Sequence, residues 1–219
     1  MMRSVTTVVT AAKSRDLTTL ATAKEELGIT GGAYDKRLRR WIREESAAVE
    51  RYCGRRLIRE TLQEVFIYHH DAGVRGDLRL ALWPVDTILS VTWDNVVLTD
   101  DQWHLDAEAG LLRRYDGVEG CWAPWFDFPA FYYHPYPSHV VVQYTGGYTV
   151  DVDLPPDIEA ATLMQLQHRK GAGSRDQTIK SETVPNVLST TYWIPNPGEN
   201  AAIIPAAAAR LDPHREQRI

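Results

Sequence analysis

Residues 34–58 read YDKRLRRWIREESAAVERYCGRRLI and set the architecture of the chain. Their apolar side chains recur at steps of three and four residues, which is the spacing of one buried face of an α-helix. We predict a helix from Ala33 to Cys53, ended by Gly54 because glycine accepts the left-handed conformation that usually follows a helix. The predicted buried stripe consists of Tyr34, Leu38, Trp41, Ala48, Val49 and Tyr52.

Two further helical segments flank this one. Upstream, Thr22 and Glu25 stand at the spacing of a capping box, and Gly28 provides a stop for a short helix. Downstream, the run Pro155-Pro156-Asp157 predicts a helix start, because proline is tolerated in the first turn and a carboxylate complements the helix dipole there. The apolar face of this last helix contains Ile158, Ala161, Leu163, Met164 and Leu166 and extends to Arg169.

Between the helices, from Ile58 to about Tyr148, the hydrophobic period changes from 3.6 to two, which is typical of strands. Asp94-Asn95 suits a tight hairpin, and residues 106–110 suit a slightly longer one. The predicted strands are Thr61–Tyr68, Leu78–Leu82, Ile88–Trp93, Val96–Leu98, Trp103–Leu105, Leu111–Arg114 and Val140–Tyr144. We therefore predict an α+β fold, with a small α-helical bundle core and an inserted antiparallel β domain.

The domain organisation follows from these changes of pattern. Residues 1–16 are predicted to form a flexible N-terminal arm, and residues 17–57 and 150–198 the helical core. Residues 58–149 form the inserted β domain, interrupted by an aromatic, proline-rich loop at 121–137, because proline does not fit a central strand. After Pro195-Asn196-Pro197-Gly198, residues 199–219 are predicted to be an extended C-terminal tail.

Composition limits the function. The net charge of −5 argues against a protein that grips nucleic acid through phosphates, which normally has a basic excess. Two distant cysteines do not indicate a disulfide scaffold, and no stretch has the roughly 20 apolar residues that span a bilayer. These features predict a protein without membrane contact, made in a reducing cytoplasm.

The sequence gives no support for catalysis or a cofactor. The seven histidines lack a completing Cys or carboxylate motif, so we predict no metal site; they are His69, His70, His104, His134, His139, His168 and His214. Paired carboxylates such as Asp100-Asp101 lie beside turns, where they cap backbone amides. Gly171-Ala172-Gly173-Ser174 lacks the lysine of a phosphate loop.

Four stretches together resemble the head–tail connector proteins (adaptors, or head-completion proteins) of long-tailed bacteriophages and gene transfer agents. They are LATAKEELGI at 20–29, the segment 34–58 with its AVERYCGRRL run, VVVQYTGGYTVDVDLPPDIEAATLMQLQHRK at 140–170, and LDPHREQRI at 211–219. Their order and spacing carry the resemblance, since each motif alone is degenerate. The stretch LWPVDTILSVTWDN at 82–95 is similar to the branch of the family with an inserted β domain.

The resemblance implies a structural role at the head–tail junction of a virion produced in a host cytoplasm. Such proteins form a ring, usually twelvefold, beneath the portal protein, and they receive a stopper or tail-completion protein on the opposite face. DNA passes through the central channel without sequence-specific binding. Because the family's C-terminal tails reach the portal, the predicted portal-binding residues are Ile203, Ile204, Pro205, Leu211, Pro213, Arg215, Arg218 and Ile219.

The arginines of the long helix have three interpretations. They can form a solvated face paired with Glu44, Glu45 and Glu50, since exposed ion pairs are common and weak. They can bind carboxylates of a neighbouring subunit or the portal, or touch passing DNA, which ranks below protein contact. The predicted subunit-interface residues are Arg37, Arg40, Arg43, Arg51, Arg55 and Arg56.

The aromatic loop also has two interpretations, because so many rings can form either a satellite core or an exposed anchor. The predicted contacts to a tail-side protein or a neighbour are Trp122, Trp125, Phe126, Phe128, Phe131, Tyr132 and Tyr133. The alternatives to an adaptor are a stopper or tail-completion protein and, from another class, a carbohydrate- or surface-binding module that uses these rings.

Overall fold

The computed structural model describes residues 2–68, 77–115, 122–123, 125, 138–172, 181–184, 188–191 and 203–216. The chain divides into two compact units. The β unit consists of Met1–Lys13 and Arg56–Tyr148, and the helical unit consists of Ser14–Arg55 and Thr149–Ile219. Helices and antiparallel sheets are both present, so the predicted α+β class is confirmed.

The helical unit contains four described helices, α1 (Leu20–Glu26), α2 (Asp35–Cys53), α3 (Pro156–Ala172) and α4 (Pro205–Leu211). Gly54 ends α2 with a φ of 72°, as the sequence predicts. The capping prediction for α1 is wrong: the helix begins three residues earlier, because the Thr19 hydroxyl accepts a hydrogen bond from the Thr22 N–H at 3.2 Å.

The buried face of α2 differs in part from the predicted stripe. Its buried residues are Leu38, Ile42, Ser46, Ala48, Val49 and Cys53. Tyr34 is 54% exposed, because it precedes the first helical residue and so lies outside the packed turns. Leu38 and Ile42 pack with Ala23, Leu27 of the α1 end and Leu166 of α3 into the core of the helical unit.

The described residues of the β unit form nine strands, of which the first three are β1 (Met2–Thr10), β2 (Glu60–Tyr68) and β3 (Leu78–Arg79). The others are β4 (Val85–Trp93), β5 (Val96–Val97), β6 (Trp103–Asp106), β7 (Leu111–Tyr115), β8 (Trp122–Ala123) and β9 (Ser138–Gly146). One sheet has the order β1-β2-β9-β4-β5, and the other has the order β3-β7-β6 with β8 also paired to β7. In the helical unit, β10 (Ser181–Val184) and β11 (Leu188–Thr191) pair as antiparallel strands.

Both predicted hairpins are confirmed. Asp94 and Asn95 have φ values of 45° and 70°, the left-handed pair required by the tight turn between β4 and β5. Strands β6 and β7 pair from Trp103↔Arg114 to Asp106↔Leu111 around the longer turn.

The prediction of a flexible arm is wrong for residues 2–10. Strand β1 pairs with β2 in an antiparallel register from Met2↔Tyr68 to Thr10↔Thr61. The run of Val, Ser and Thr explains this, because β-branched residues fit a half-exposed pleated surface. Beyond the strand, the Ala12 N–H donates to Glu60 at 3.2 Å.

Buried and half-buried side chains alternate along β2 and β9, two of the strands that form the core of the β unit. Along β9 every second side chain from Ser138 to Gly146 is buried, and these residues face the inner side of the five-stranded sheet. The buried residues of β9 pack with residues of β2, of the 78–85 segment, of β4 and β7, and with Trp125 of the aromatic loop. The core consists of Leu62, Phe66, Leu78, Leu80, Leu82, Val85, Val91, Leu112, Trp125, Val140, Val142 and Tyr144.

A close approach of backbone at the end of β9 requires glycine. Gly147 has a φ of 88°, and a Cβ there would lie 2.8 Å from the carbonyl oxygens of Leu57 and Ile58. The neighbouring Tyr148 N–H donates to the Leu57 carbonyl at 2.7 Å, and the Arg59 N–H donates to the Tyr148 carbonyl at 2.8 Å. Gly147, in the YTGGY stretch at 144–148, therefore lets the two chain segments lie side by side.

A buried polar network lies inside this core. The Glu64 side chain, 1% exposed, accepts hydrogen bonds from the Tyr144 hydroxyl and from the Ala81 N–H at 2.7 Å. The Tyr144 oxygen in turn accepts from the Leu82 N–H at 3.0 Å. Burial raises the pKa of Glu64 above its ordinary value, although both hydrogen bonds act against that rise. The network fastens the 80–82 segment to β2 and β9.

We expect Glu64 to make folding stability depend on pH. A carboxyl whose pKa is raised in the folded state binds a proton more tightly there than in the unfolded chain. Its contribution is therefore fully present below the ordinary glutamate pKa and is lost as the pH rises through the folded-state pKa. Urea unfolding of the wild type and Glu64→Gln at a series of pH values should show the variant gaining relative stability as the pH rises above 4.5. A parallel pH dependence of the two proteins would contradict the prediction.

Candidate interaction surface

The α2 arginines do not form one surface. Arg37, Arg40, Arg43 and Arg51 are exposed, whereas Arg55 is 7% exposed and Arg56 belongs to the β unit. Arg40 pairs with Glu44 at 3.6 Å, in line with the interpretation of a solvated, paired face. Arg55 donates to the His214 carbonyl at 3.1 Å, and Arg56 pairs with the buried Glu60 at 2.9 Å. The last two arginines therefore make contacts inside the chain.

The C-terminal segment 203–216 is folded, which corrects the prediction of an extended tail. Ile203, Ala207 and Leu211 are buried, because α4 packs its small apolar face within the helical unit. The Ile204 N–H donates to Gln165 at 3.1 Å, and Arg210 pairs with Asp157 at 3.2 Å. Of the predicted portal-binding residues, Pro205, Pro213 and Arg215 are exposed and Ile204 is half-buried, while Arg218 and Ile219 lie outside the described residues.

Residues 212–216, the last part of the C-terminal segment, form hydrogen bonds with the C-terminal end of α2. The Glu216 N–H donates to the Cys53 carbonyl at 2.8 Å, and the Tyr52 hydroxyl donates to Asp212 at 2.7 Å. The Arg215 guanidinium lies 5.0 Å from the Tyr52 ring centroid. Burial raises the pKa of the Cys53 thiol to about 11, so this cysteine is a packing residue and not a reactive thiolate. Burial and the charge of Arg55 lower the pKa of His214.

The described residues of the aromatic loop are Trp122, Ala123 and Trp125. Trp125 is 1% exposed, and its indole N–H donates to the Leu112 carbonyl at 3.0 Å. The predicted role of Trp125 as an exposed contact is therefore wrong, because its ring fills the core of the β unit. Trp122 lies in β8, opposite Tyr115 of β7. Phe126, Phe128, Phe131, Tyr132 and Tyr133 lie outside the described residues.

A groove in the helical unit was missed by the sequence analysis. It has a volume of about 480 Å³ and is lined by Gly28, Ile29, Thr30, Tyr34, Arg37, Leu38, Trp41 and Lys170. Ile29 and Trp41 are partly buried and supply the accessible apolar floor, whereas Leu38 is 1% exposed. The Arg37 guanidinium lies 4.6 Å from the Trp41 ring centroid. In the part of the chain that the structure describes, Arg37 makes no ion pair. The second lining cation, Lys170, donates a hydrogen bond to the Leu27 carbonyl. The groove is thus amphipathic, lined by two cations and by an aromatic and aliphatic surface.

A second arginine, Arg169, also packs against the Trp41 ring. The Arg169 guanidinium lies 5.2 Å from its ring centroid and forms ion pairs with Glu44 at 2.5 Å and Glu45 at 2.9 Å. A guanidinium held by two carboxylates keeps its position, so the ring it covers is also held in place. The groove floor is therefore formed before anything binds.

A rigid turn precedes α3. The N–H groups of Val152, Asp153 and Leu154 all approach the Thr149 carbonyl, at 3.2, 3.1 and 3.3 Å, and the Asp153 carboxylate accepts from the Thr149 N–H. Asp151 adopts a positive φ of 63°, a conformation that costs energy in a residue other than glycine. Val152 is 80% exposed, the highest value among the described large apolar residues. The turn thus presents an apolar tip beside an exposed carboxylate.

The described residues bring together no group of three or more His, Cys, Asp or Glu side chains that could hold a metal ion. His69, His70 and His134 lie outside those residues. None of the described helices has the length and apolarity to cross a membrane.

No family model matches the chain, and no curated protein matches it. A chain in the neck of an empty gene transfer agent particle, computed with C6 symmetry, superposes with a TM-score of 0.58 at 16% identity, covering 98% of this chain and 97% of that one. A chain in the virion of a native gene transfer agent particle gives a TM-score of 0.57 at 16% identity, with the same coverage. At this identity the likeness establishes the fold alone, over nearly the full length of both chains.

Proposed function

We propose that this chain is a structural subunit of the neck that joins head and tail in a tailed bacteriophage or a gene transfer agent particle. The observation that carries the proposal is the fold shared, over 98% of this chain and 97% of the other, with a chain in a gene transfer agent neck. Coverage of both chains matters, because an accidental match to one domain would leave much of one chain unmatched.

Within the neck we assign the chain the adaptor position, in a ring beneath the portal that extends the DNA channel and offers a docking face to a stopper or tail-completion protein. The resemblance of four sequence stretches to this family supports the assignment. The net charge of −5 suits a channel wall along which DNA slides without being gripped. Exposed arginines such as Arg43 and Arg51 supply guanidiniums for carboxylates of neighbouring proteins.

The portal contact is proposed at the exposed positions of the C-terminal segment, Pro205, Pro213 and Arg215. Ile203 and Leu211 instead hold this segment on the helical unit, because both are buried there. Deleting everything from Glu199 onward would therefore remove core residues as well as any docking surface. Point substitutions on the exposed positions separate the two effects.

The test is size-exclusion chromatography with light scattering, using the purified chain alone and mixed with the portal protein of its own particle. We expect co-elution with several copies per portal ring. Pro205→Glu combined with Pro213→Glu should reduce the bound copies at least about tenfold, because a charge placed in an apolar contact opposes burial. Both positions are exposed, so circular dichroism of the variant should match the wild type.

Glu108→Lys, an exposed substitution in the β unit, is the matched control and should bind as the wild type does. Binding to the stopper or tail-completion protein without binding to the portal would move the chain to another place in the neck. Failure to bind any neck protein would contradict the proposal, and binding to a glycan panel that is lost in Trp122→Ala would favour the carbohydrate-binding alternative.

A further inference from the structure

The groove and the turn before α3 have complementary surfaces. The groove offers Arg37 and Lys170 together with the apolar surface of Ile29 and Trp41. The turn offers the exposed Asp151 carboxylate beside Val152, which is 80% exposed. The apolar tip of the turn matches the apolar surface of the groove, and its carboxylate is opposite in charge to the cations of the groove. Opposite potentials favour and orient such a contact.

The turn of one chain cannot fill the groove of the same chain. The turn lies just before Pro156 at the start of α3, whereas Lys170 lines the groove near the end of that helix. At 1.5 Å per residue, the helix between them spans about 21 Å. The two surfaces therefore stand at opposite ends of one rigid rod, and only another molecule can join them.

We propose that the 149–153 turn of one copy inserts into the groove of the next copy, with Val152 on the Ile29 and Trp41 floor and Asp151 beside Arg37 and Lys170. Two different surfaces at opposite ends of a subunit make a head-to-tail contact, which closes into a ring when the rotation per subunit allows it. The contact rests on the proposed function, because a ring of identical subunits is what an adaptor requires. The rigid backbone of the turn and the fixed Trp41 ring reduce the entropy lost on association.

The experiment uses charge reversal at both surfaces of the full-length chain. Arg37→Asp places a carboxylate in the groove opposite Asp151, and Asp151→Arg places a guanidinium opposite Arg37. Each variant alone should self-associate at least about tenfold more weakly than the wild type in sedimentation equilibrium, because like charges then meet at the contact. Circular dichroism should show both variants folded.

Mixing the two variants in equal amounts should restore association. A contact between two different variants pairs either two wild-type surfaces or two reversed ones, so an assembly in which the variants alternate is matched in charge at every contact. A misfolded variant could not be rescued in this way. Arg39→Asp is the matched control, since this exposed residue of α2 does not line the groove, and it should associate as the wild type does.

The proposal is overturned if the wild type stays monomeric up to about 1 mM, the weak limit of specific association, or if the mixture associates no better than the single variants. These outcomes are independent of the proposed function, because portal binding is measured separately. Portal binding by the wild type with no effect of the reversals would leave the neck role standing and remove this contact.

Discussion

Replacing Gly147 with alanine is expected to lower the free energy of unfolding by about 3 kcal/mol, from a left-handed φ that costs roughly 1–2 kcal/mol and overpacking that costs about 1–3 kcal/mol. The added Cβ would lie 2.8 Å from the carbonyl oxygens of Leu57 and Ile58, and both are backbone atoms. A flexible side chain could move away, but these carbonyls belong to the 57–59 segment, which is joined to Tyr148 by two backbone hydrogen bonds, Tyr148 N–H to the Leu57 carbonyl and Arg59 N–H to the Tyr148 carbonyl. Relief of the clash therefore requires breaking that junction.

Gly28→Ala is the control that separates the two causes. Gly28 has a φ of 60°, but a Cβ there would meet nothing within 4 Å. This variant should lose only about 1 kcal/mol, the left-handed cost alone. Urea unfolding followed by tryptophan fluorescence measures both. Equal losses in the two variants would show that crowding at Gly147 contributes nothing.

Replacing Trp125 with alanine should cost about 3–5 kcal/mol, the usual range for a large aromatic residue removed from a core. The ring is 1% exposed among the leucines and valines of the β-unit core, and its N–H bonds the Leu112 carbonyl at 3.0 Å. The substitution leaves both a cavity and a buried carbonyl that has lost a donor. Urea unfolding should show an earlier midpoint, with the transition lost if the variant no longer folds.

Trp125→Phe distinguishes the packing from the hydrogen bond. It retains most of the ring volume and removes the donor, so the loss should be smaller, about 1–3 kcal/mol for the unsatisfied carbonyl. A Trp125→Ala variant with wild-type stability and weaker binding to a neck protein would contradict the core assignment. It would restore the interpretation of Trp125 as an exposed anchor.

Local chemistry explains what could be predicted from the sequence. Gly54 and the Asp94-Asn95 pair require particular backbone angles, so the end of α2 and the tight hairpin could be located from residue types alone. The strands of the β unit follow from alternation, which depends only on neighbouring residues. These elements specify their own conformation before any long-range contact forms.

What the sequence did not reveal depends on distant partners. Residues 2–10 were predicted to be a polar arm, because β2, the strand that pairs with β1, lies about 60 positions later in the sequence. The small apolar residues of α4 read as a docking tail, because their burial depends on packing within the helical unit and on Gln165. The groove combines residues of three helical regions, so no spacing pattern identifies it.

Each unit is built from two separate segments of the chain, and during synthesis the segments of the β unit are completed first. All segments of the β unit have been translated once Tyr148 has left the ribosome, whereas the helical unit still lacks α3 and α4. The remaining residues take several seconds at roughly 5–20 residues per second. During that interval Leu38 and Ile42 of α2 lack Leu166, the α3 residue that covers them in the finished core. At this stage the nascent chain therefore has every segment of the β unit, while the apolar face of α2 still lacks its α3 partner.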